Sequence, residues 1–246
     1  MNTFAQLVKT ALTSRPTFLL GGLLLLVNAP VLGQTSTAEK ELWPALRVNF
    51  NVQPRLGVQM FAEKHDGEDA SLSQWKLGAL ISYRMSRILT KLRDDIDEEN
   101  KYNLVVGGGY EFVKTNQTNS TKREHRVMVQ TTPKFVPGWG VLLQDRSRAE
   151  FRWVDGVYNF RYRNKLTADR PLKAGKVRFT PYASGELFWD RNHHAWNENQ
   201  YAFGIQLPYR KLLMLDTYYL RQNCTTCSQD PVSVFGISLN FYFKRK

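Results

Sequence analysis

The sequence holds only two cysteines, Cys224 and Cys227, and none near its N-terminus. A lipid-modified anchor at a processed N-terminus is therefore excluded. Beyond residue 33 the sequence also lacks any uninterrupted apolar run approaching the ~20 residues that a membrane-spanning helix needs. If the remainder lies in a membrane, strands must cross it and must close into a barrel, because lipid satisfies no backbone hydrogen bond. No Gly-x-Ser-x-Gly elbow is present, and there are only four histidines. That leaves little material for a nucleophile beside a general base. His125 has the apolar-face parity of its segment, and His65, His193 and His194 fall in predicted links. His193-His194 with Asp190 and Glu198 lack the spaced third ligand that a metal site requires. The expectation is no catalytic residue, no metal and no cofactor, hence not an enzyme.

What is present begins with an export signal. Residues 1–33 carry Lys9 and Arg15, then the apolar run Phe18 to Val27, then Val31-Leu32-Gly33, the three-part layout of a secretory signal cleaved near Gly33. The sequence predicts a signal over 1–33 and one domain over 34–246. Mean hydropathy is −0.43, which an ordinary soluble protein would share. A barrel also averages out polar, since only alternate residues face lipid, so hydropathy does not decide between the two. Aromatic content of 13% suits the interfacial girdles of barrels.

The formal charge is +12. A basic balance raises the question of nucleic acid, but here the positive residues are spread through strand-like segments of an exported chain. Anionic headgroups or small anionic solutes are the partners that remain, and no nucleic acid is expected.

Period-two alternation dominates the rest. The last segment sets Phe235, Ile237, Leu239, Phe241 and Phe243 against Gly236, Ser238, Asn240 and Tyr242, giving one greasy and one polar face. Comparable segments are Leu42–Val52, Arg55–Glu63, Gln74–Met85, Tyr102–Val113, Glu124–Thr132, Val141–Trp153, Tyr158–Leu166, Val177–Trp189, Gln200–Leu207 and Leu213–Gln222. Most approach the ~10 residues of a tilted spanning strand. Short links at Gln53-Pro54 and Pro208–Lys211 alternate with longer polar ones at His65–Ser73, Lys114–Arg123, Asp190–Asn199 and Asn223–Pro231, as short periplasmic turns alternate with long extracellular loops. The acidic segment Ser86–Asn100 has Ile88, Leu92 and Ile96 at helical spacing, which predicts a short periplasmic helix. The fold expected is all-β: a single closed, antiparallel, up-and-down transmembrane barrel of about 10–12 strands. The eleven segments are an odd number, whereas single-chain bacterial barrels have even counts.

Strand parity then assigns a lumen. Glu111, Glu124, Arg126, Arg146, Arg148, Glu150, Arg152, Arg161, Arg163, Arg178 and Glu186 all fall on polar faces, together with Arg47, Lys76, Arg84 and Asp216. On a lipid face each would cost about 2–4 kcal/mol near the midplane. Rings of Arg and Lys favour anions in a pore. Alternatively, Arg146, Arg148, Arg161 and Arg163 pair with Glu150, Glu124, Glu111 and Glu186 and fill a structural barrel, as side chains do at small strand numbers. A soluble periplasmic lipocalin-like binder with its greasy faces turned inward is a competing reading, and a barrel-embedded lipid enzyme a third. Trp75 with Tyr83, and Tyr201 with Tyr209, place aromatics at strand ends and favour the membrane.

Trp43, Glu124-His125-Arg126, Arg146-Ser147-Arg148-Ala149-Glu150-Phe151-Arg152, Arg161-Tyr162-Arg163, Pro181-Tyr182 with Glu186-Leu187-Phe188, and the aromatic last strand together resemble a bacterial family of secreted proteins, domain of unknown function 2490. The resemblance implies an outer-membrane β-barrel, inserted by the outer-membrane assembly machinery and surrounded by outer-membrane lipids. It implies no activity. This chain departs from the pattern at Gln200, where an arginine is usual, and in the Lys244-Arg245-Lys246 tail after Phe243. Cys224 and Cys227 are expected to form a disulfide, because an exported chain meets an oxidising compartment. Gly107-Gly108-Gly109 lies in a strand with no helix after it, so it is not a phosphate loop, and marks a bend or a close neighbour.

Overall fold

The computed structural model describes residues 39–67, 72–86, 95–117, 120–226 and 231–244, all within one compact unit, Thr37–Lys246. Twelve strands follow in order: β1 (Glu39–Gln53), β2 (Leu56–Gly67), β3 (Leu72–Met85), β4 (Leu104–Gln117), β5 (Ser120–Gly138), β6 (Val141–Val154), β7 (Val157–Asp169), β8 (Leu172–Ala174), β9 (Val177–Asp190), β10 (Ala195–Tyr209), β11 (Leu213–Cys224) and β12 (Val232–Lys244). Among the described residues between β3 and β4 is a 3₁₀ turn, Glu98–Lys101.

Each strand pairs with its sequence neighbour except that β7 pairs with β9, with β8 also on β9, and β1 pairs with β12, so the sheet closes. The three residues of β8 continue the path of β7. The Arg170 amide still bonds the Pro181 carbonyl at 3.2 Å, and Leu172 then faces Phe179. Pro171 between them has no N–H to give the ladder, which splits one long strand into two. The barrel therefore has eleven staves.

That odd number corrects the expectation of a wholly antiparallel barrel. Eleven alternating strands leave the first and last running the same way. Glu39 accordingly faces Val232 and Asn51 faces Lys244 in a parallel seam, while every other pair is antiparallel. On the inner face of this seam Trp43, Val232, Val234, Leu220 and Ala202 pack as a small apolar cluster.

The faces point as a membrane barrel requires. Leu46, Met60, Leu77, Ile81, Val129, Phe203, Phe235 and Leu239 are exposed outside, whereas Glu111, Glu124, Arg126, Glu150, Arg152 and Glu186 are buried inside. A lipocalin-like binder needs the reverse, so that alternative is set aside. Trp139, Tyr83 and Tyr209 lie outward at the rim where β12 ends, and Trp75, Trp196 and Tyr219 toward the rim where β1 begins, two girdles at opposite ends.

Link lengths differ from the sequence reading. Residues 65–67, 114–117, 120–123 and 195–199 are in strands, so three of the four links expected to be long are short. The long connection is 86–103, at the opposite rim. Beyond the apolar band both strand faces are wet, so alternation fades although the ladder hydrogen bonds continue. Of the helix expected in 86–100, the described residues include the 3₁₀ turn Glu98–Lys101, and residues 87–94, with Ile88 and Leu92, lie outside them. The two-residue links Trp139-Gly140 and Asp155-Gly156 have φ of 52° and 71° and of 48° and 86°, the two left-handed positions of a type I′ hairpin turn.

Candidate functional site: the charged lumen

Parity places the polar sequence into a lumen, and cross-strand register decides which charges meet. Glu111, Arg126 and Arg152 are directly opposed on β4, β5 and β6. Arg126 donates to Glu111 at 2.6 Å and to Glu124 at 2.5 Å, and Arg152 donates to the same Glu124 carboxylate. Arg152 also faces Asp190 at 3.6 Å. Arg161 bridges Asp190 at 3.5 Å and Glu198 at 3.8 Å. This upper tier, nearer the rim where β1 begins, holds three guanidiniums and four carboxylates.

A second tier lies one to two rungs toward the other rim. Arg163 bonds Glu150 at 3.1 Å and Glu186 at 2.9 Å, and Arg146 reaches the same Glu186 oxygen at 2.9 Å. Arg148 gives its Nε and Nη2 to the Gln130 amide oxygen at 3.0 and 2.7 Å, with Glu150 no nearer than 3.9 Å. Phe188 lies under the Arg163 guanidinium at 4.5 Å. Lys165, opposite Arg146 and Glu186 in register, completes this tier.

Of the fifteen sequence-assigned lumen residues, Arg47, Lys76 and Asp216 line the cavity elsewhere, Arg84 is buried beside Glu99, and ten are gathered in these two tiers. Arg178 is not: it is exposed near the β8–β9 turn, on the cavity's edge. The pairing also differs from the expected one, since Arg161 meets Asp190 and Glu198, not Glu111 or Glu124. Those two acids were assigned to a loop, yet Asp190 continues the parity of Glu186 and Phe188. The same extension places His65 in the lumen, stacked on Trp43 and hydrogen-bonded to Glu63 at 2.5 Å and Lys76 at 2.9 Å. His193 and His194 sit in a turn of the β9–β10 link, while Asp190 and Glu198 are held by arginines. Cys224 is disulfide-bonded, and Cys227 lies outside the described residues. Close approach explains Gly109, where an added Cβ would lie 2.2 Å from the Ala79 carbonyl oxygen.

The 95–103 connection folds against the rim where β12 ends. Ser82 donates to Glu99 at 2.6 Å, Lys134 to Asn100 at 3.1 Å, and the Tyr102 hydroxyl to the Pro54 carbonyl at 2.6 Å. Lys244 and Lys101 both bond Glu98. Burial pushes the Asp97 carboxyl up to about 6, helped by neighbouring Glu99 and opposed by Lys134 and Arg84. Burial also raises Glu98, but hydrogen bonds from Lys244 and Lys101 outweigh it and hold that carboxyl below its ordinary value.

Past this connection one cavity of about 1700 Å³ runs along the barrel. Its lining includes Glu41, Lys122 and Gln222 near one rim and Lys173, Lys176, Arg210 and Lys211 near the other, with basic residues outnumbering acidic ones.

The chain belongs to the family described as protein of unknown function (DUF2490), whose model matches residues 34–231. No curated protein matches it. Among solved structures it is similar to a bacterial polysaccharide outer membrane secretin (TM-score 0.44, 8% identity, covering 74% of this chain) and spans 62% of that protein's length. It is also similar to LpxR from Salmonella typhimurium (TM-score 0.47, 6% identity), covering 76% of this chain and 83% of that one. The fold is a closed β-barrel with its apolar side chains turned outward, in a family described as of unknown function.

Proposed function

We propose that this DUF2490 barrel is a narrow, non-catalytic passive pore with a preference for small anions. In this reading it sits in the bacterial outer membrane after loss of residues 1–33, with outer-membrane lipids around its apolar band and the assembly machinery as its insertion partner. The observation that carries the reading is a continuous cavity of about 1700 Å³ lined by residues from both rims. A barrel filled only for stability would have its charged tiers packed across the axis. Instead the tiers line one arc of the wall, from β4 to β10, and leave the space beside them open. Excess Arg and Lys along such a path lowers the energy of a passing anion.

The test is single-channel recording of the purified protein in a planar bilayer under a potassium chloride gradient. A small conductance with a reversal potential displaced toward that of chloride supports the reading. A folded barrel with no conductance makes it a structural barrel instead, and cation preference overturns the anion assignment.

A further inference from the structure

The two tiers of the lumen are not electrically alike. In the upper one Arg126, Arg152 and Arg161 are matched by Glu111, Glu124, Asp190 and Glu198. In the lower one Arg146, Arg148, Arg163 and Lys165 have only Glu150 and Glu186 within their tier, with Asp216, shared with Arg47, as a more distant counter-charge to Lys165. Both Arg146 and Arg163 bond the same oxygen of Glu186, and Arg148 and Arg163 turn to the same oxygen of Glu150. Arg148 directs its fork to neutral atoms, the Gln130 amide oxygen and, at 3.6 Å, the Met128 sulfur. Its side chain is only 11% exposed. Arg146 Nε is buried with no hydrogen-bond partner. Lys165, its cross-strand neighbour, forms no ion pair among the described residues, although Glu186 is opposite. Cations withdrawn from water in excess of their counter-charges are costly unless another anion joins them. Arg146, Arg148 and Lys165 all line the cavity, so such an anion has access.

We propose that Arg146, Arg148 and Lys165 form a binding site within the lumen for a compact doubly charged oxyanion, phosphate or a phosphate monoester. The cations of this tier outnumber its carboxylates even with Asp216 counted, and a dianion can engage Arg146, Arg148 and Lys165 together. A guanidinium offers a planar fork that matches two phosphate oxygens, and an ammonium adds a movable point charge. The site rests on the open-lumen reading given above. It makes the barrel selective for a class of solute, since a resting place part-way along the path both draws the anion in and slows chloride that competes for it.

The experiment is isothermal titration of the full-length protein, folded in detergent at pH 8 and constant ionic strength, with inorganic phosphate and separately with glycerol 3-phosphate. The wild type is expected to bind with one-to-one stoichiometry, and Lys165→Gln to bind about tenfold more weakly or worse, the usual scale for one charge-assisted hydrogen bond. Lys165→Gln breaks no ion pair, so its barrel is expected to keep its heat-modifiable band. Lys114→Gln, on an exposed position of β4 outside the cavity lining, is expected to bind as wild type. Binding of inorganic phosphate alone assigns the site to the free ion. Binding of both assigns it to a phosphate carried on a solute. Absence of heat with either probe, or equal affinity in Lys165→Gln, overturns the site. Conductance without phosphate binding defeats this site and leaves the pore standing, whereas binding without conductance does the opposite.

Discussion

Trp43 and His65 stack face to face inside the barrel, their ring centroids 3.7 Å apart and their planes 12° from parallel. Lys76 stands over the same indole at 5.4 Å and also bonds His65. The group ties β1 to β2 and β3 immediately beside the parallel seam. Aromatic pairs contribute about 0.5–1.5 kcal/mol beyond the area they bury. His65→Ala is expected to lower the stability of the folded barrel by about 1 kcal/mol, and to change an emission component that is absent in Trp43→Phe. Urea titration followed by tryptophan fluorescence reads both effects. An unchanged midpoint and spectrum would show that the stack contributes nothing.

Glu124 is the hub of the upper tier, because Arg126 and Arg152 both direct their guanidiniums to it. Removing one member of a buried charge cluster leaves the others uncompensated and costs about 3–5 kcal/mol. Glu124→Gln is therefore expected to destabilise far more than Glu39→Gln at the open end of β1. The fraction of protein migrating as the folded, unboiled band across a urea series measures the difference.

The connection at the far rim is expected to respond to pH through Asp97. Its folded value, about 6, lies above the ordinary 3.8, so the docked connection binds the proton more tightly than the free one. Docking is therefore strongest below about pH 4 and weakens as pH rises through 6. Glu98 acts oppositely but in a lower window, because its stabilisation is lost only as pH falls below its ordinary range. Arg84, Lys134, Glu99 and Tyr242 surround Asp97. Faster amide exchange in 97–103 at pH 8 than at pH 5, beyond the intrinsic rate change, is the expected result. Asp97→Asn keeps the cap to the Glu99 amide and should abolish that dependence.

Gly236 lies opposite Tyr218 across β11 and β12, and a Cβ there would fall 2.0 Å from the tyrosine ring. The ring occupies the space that a side chain on β12 would take. Gly236→Ala must push it further into the lumen, an overpacking that costs about 1–3 kcal/mol. If the pore conducts, Gly236→Ala should also reduce its unitary conductance, and Gly236→Ala with Tyr218→Phe should not restore it. Tyr218→Ala with Gly236→Ala should.

The sequence was legible wherever a strand has one face in lipid. There an apolar residue is required at every second position, which made all eleven staves and the inward direction of Arg126, Glu150, Arg163 and Glu186 readable. Past the apolar band that requirement ends. Asp190, Glu198 and His65 look like loop residues by composition, although their backbones remain in the ladder. The identity of partners was also hidden. Arg161 bonds Asp190 and not Glu111 because of register, and period two carries no register between non-adjacent segments. The parallel direction of the seam was missed, because the odd count of segments was weighed against the even-number habit of such barrels, and the β7 continuation beyond Pro171 was invisible because three residues are too short to show a period.

The parallel seam has a consequence for any attempt to rewire the chain. Lys244 stands opposite Asn51, not Glu39, so the two ends of the barrel wall are separated by the length of β1 from Glu39 to Asn51, about 40 Å at ~3.3 Å per residue. A barrel with an even number of staves can be circularly permuted with a few linking residues. Here a linker would have to travel down the lumen, across the charged tiers, or through the surrounding hydrocarbon, so permutation is geometrically barred at the one place where it is ordinarily simplest.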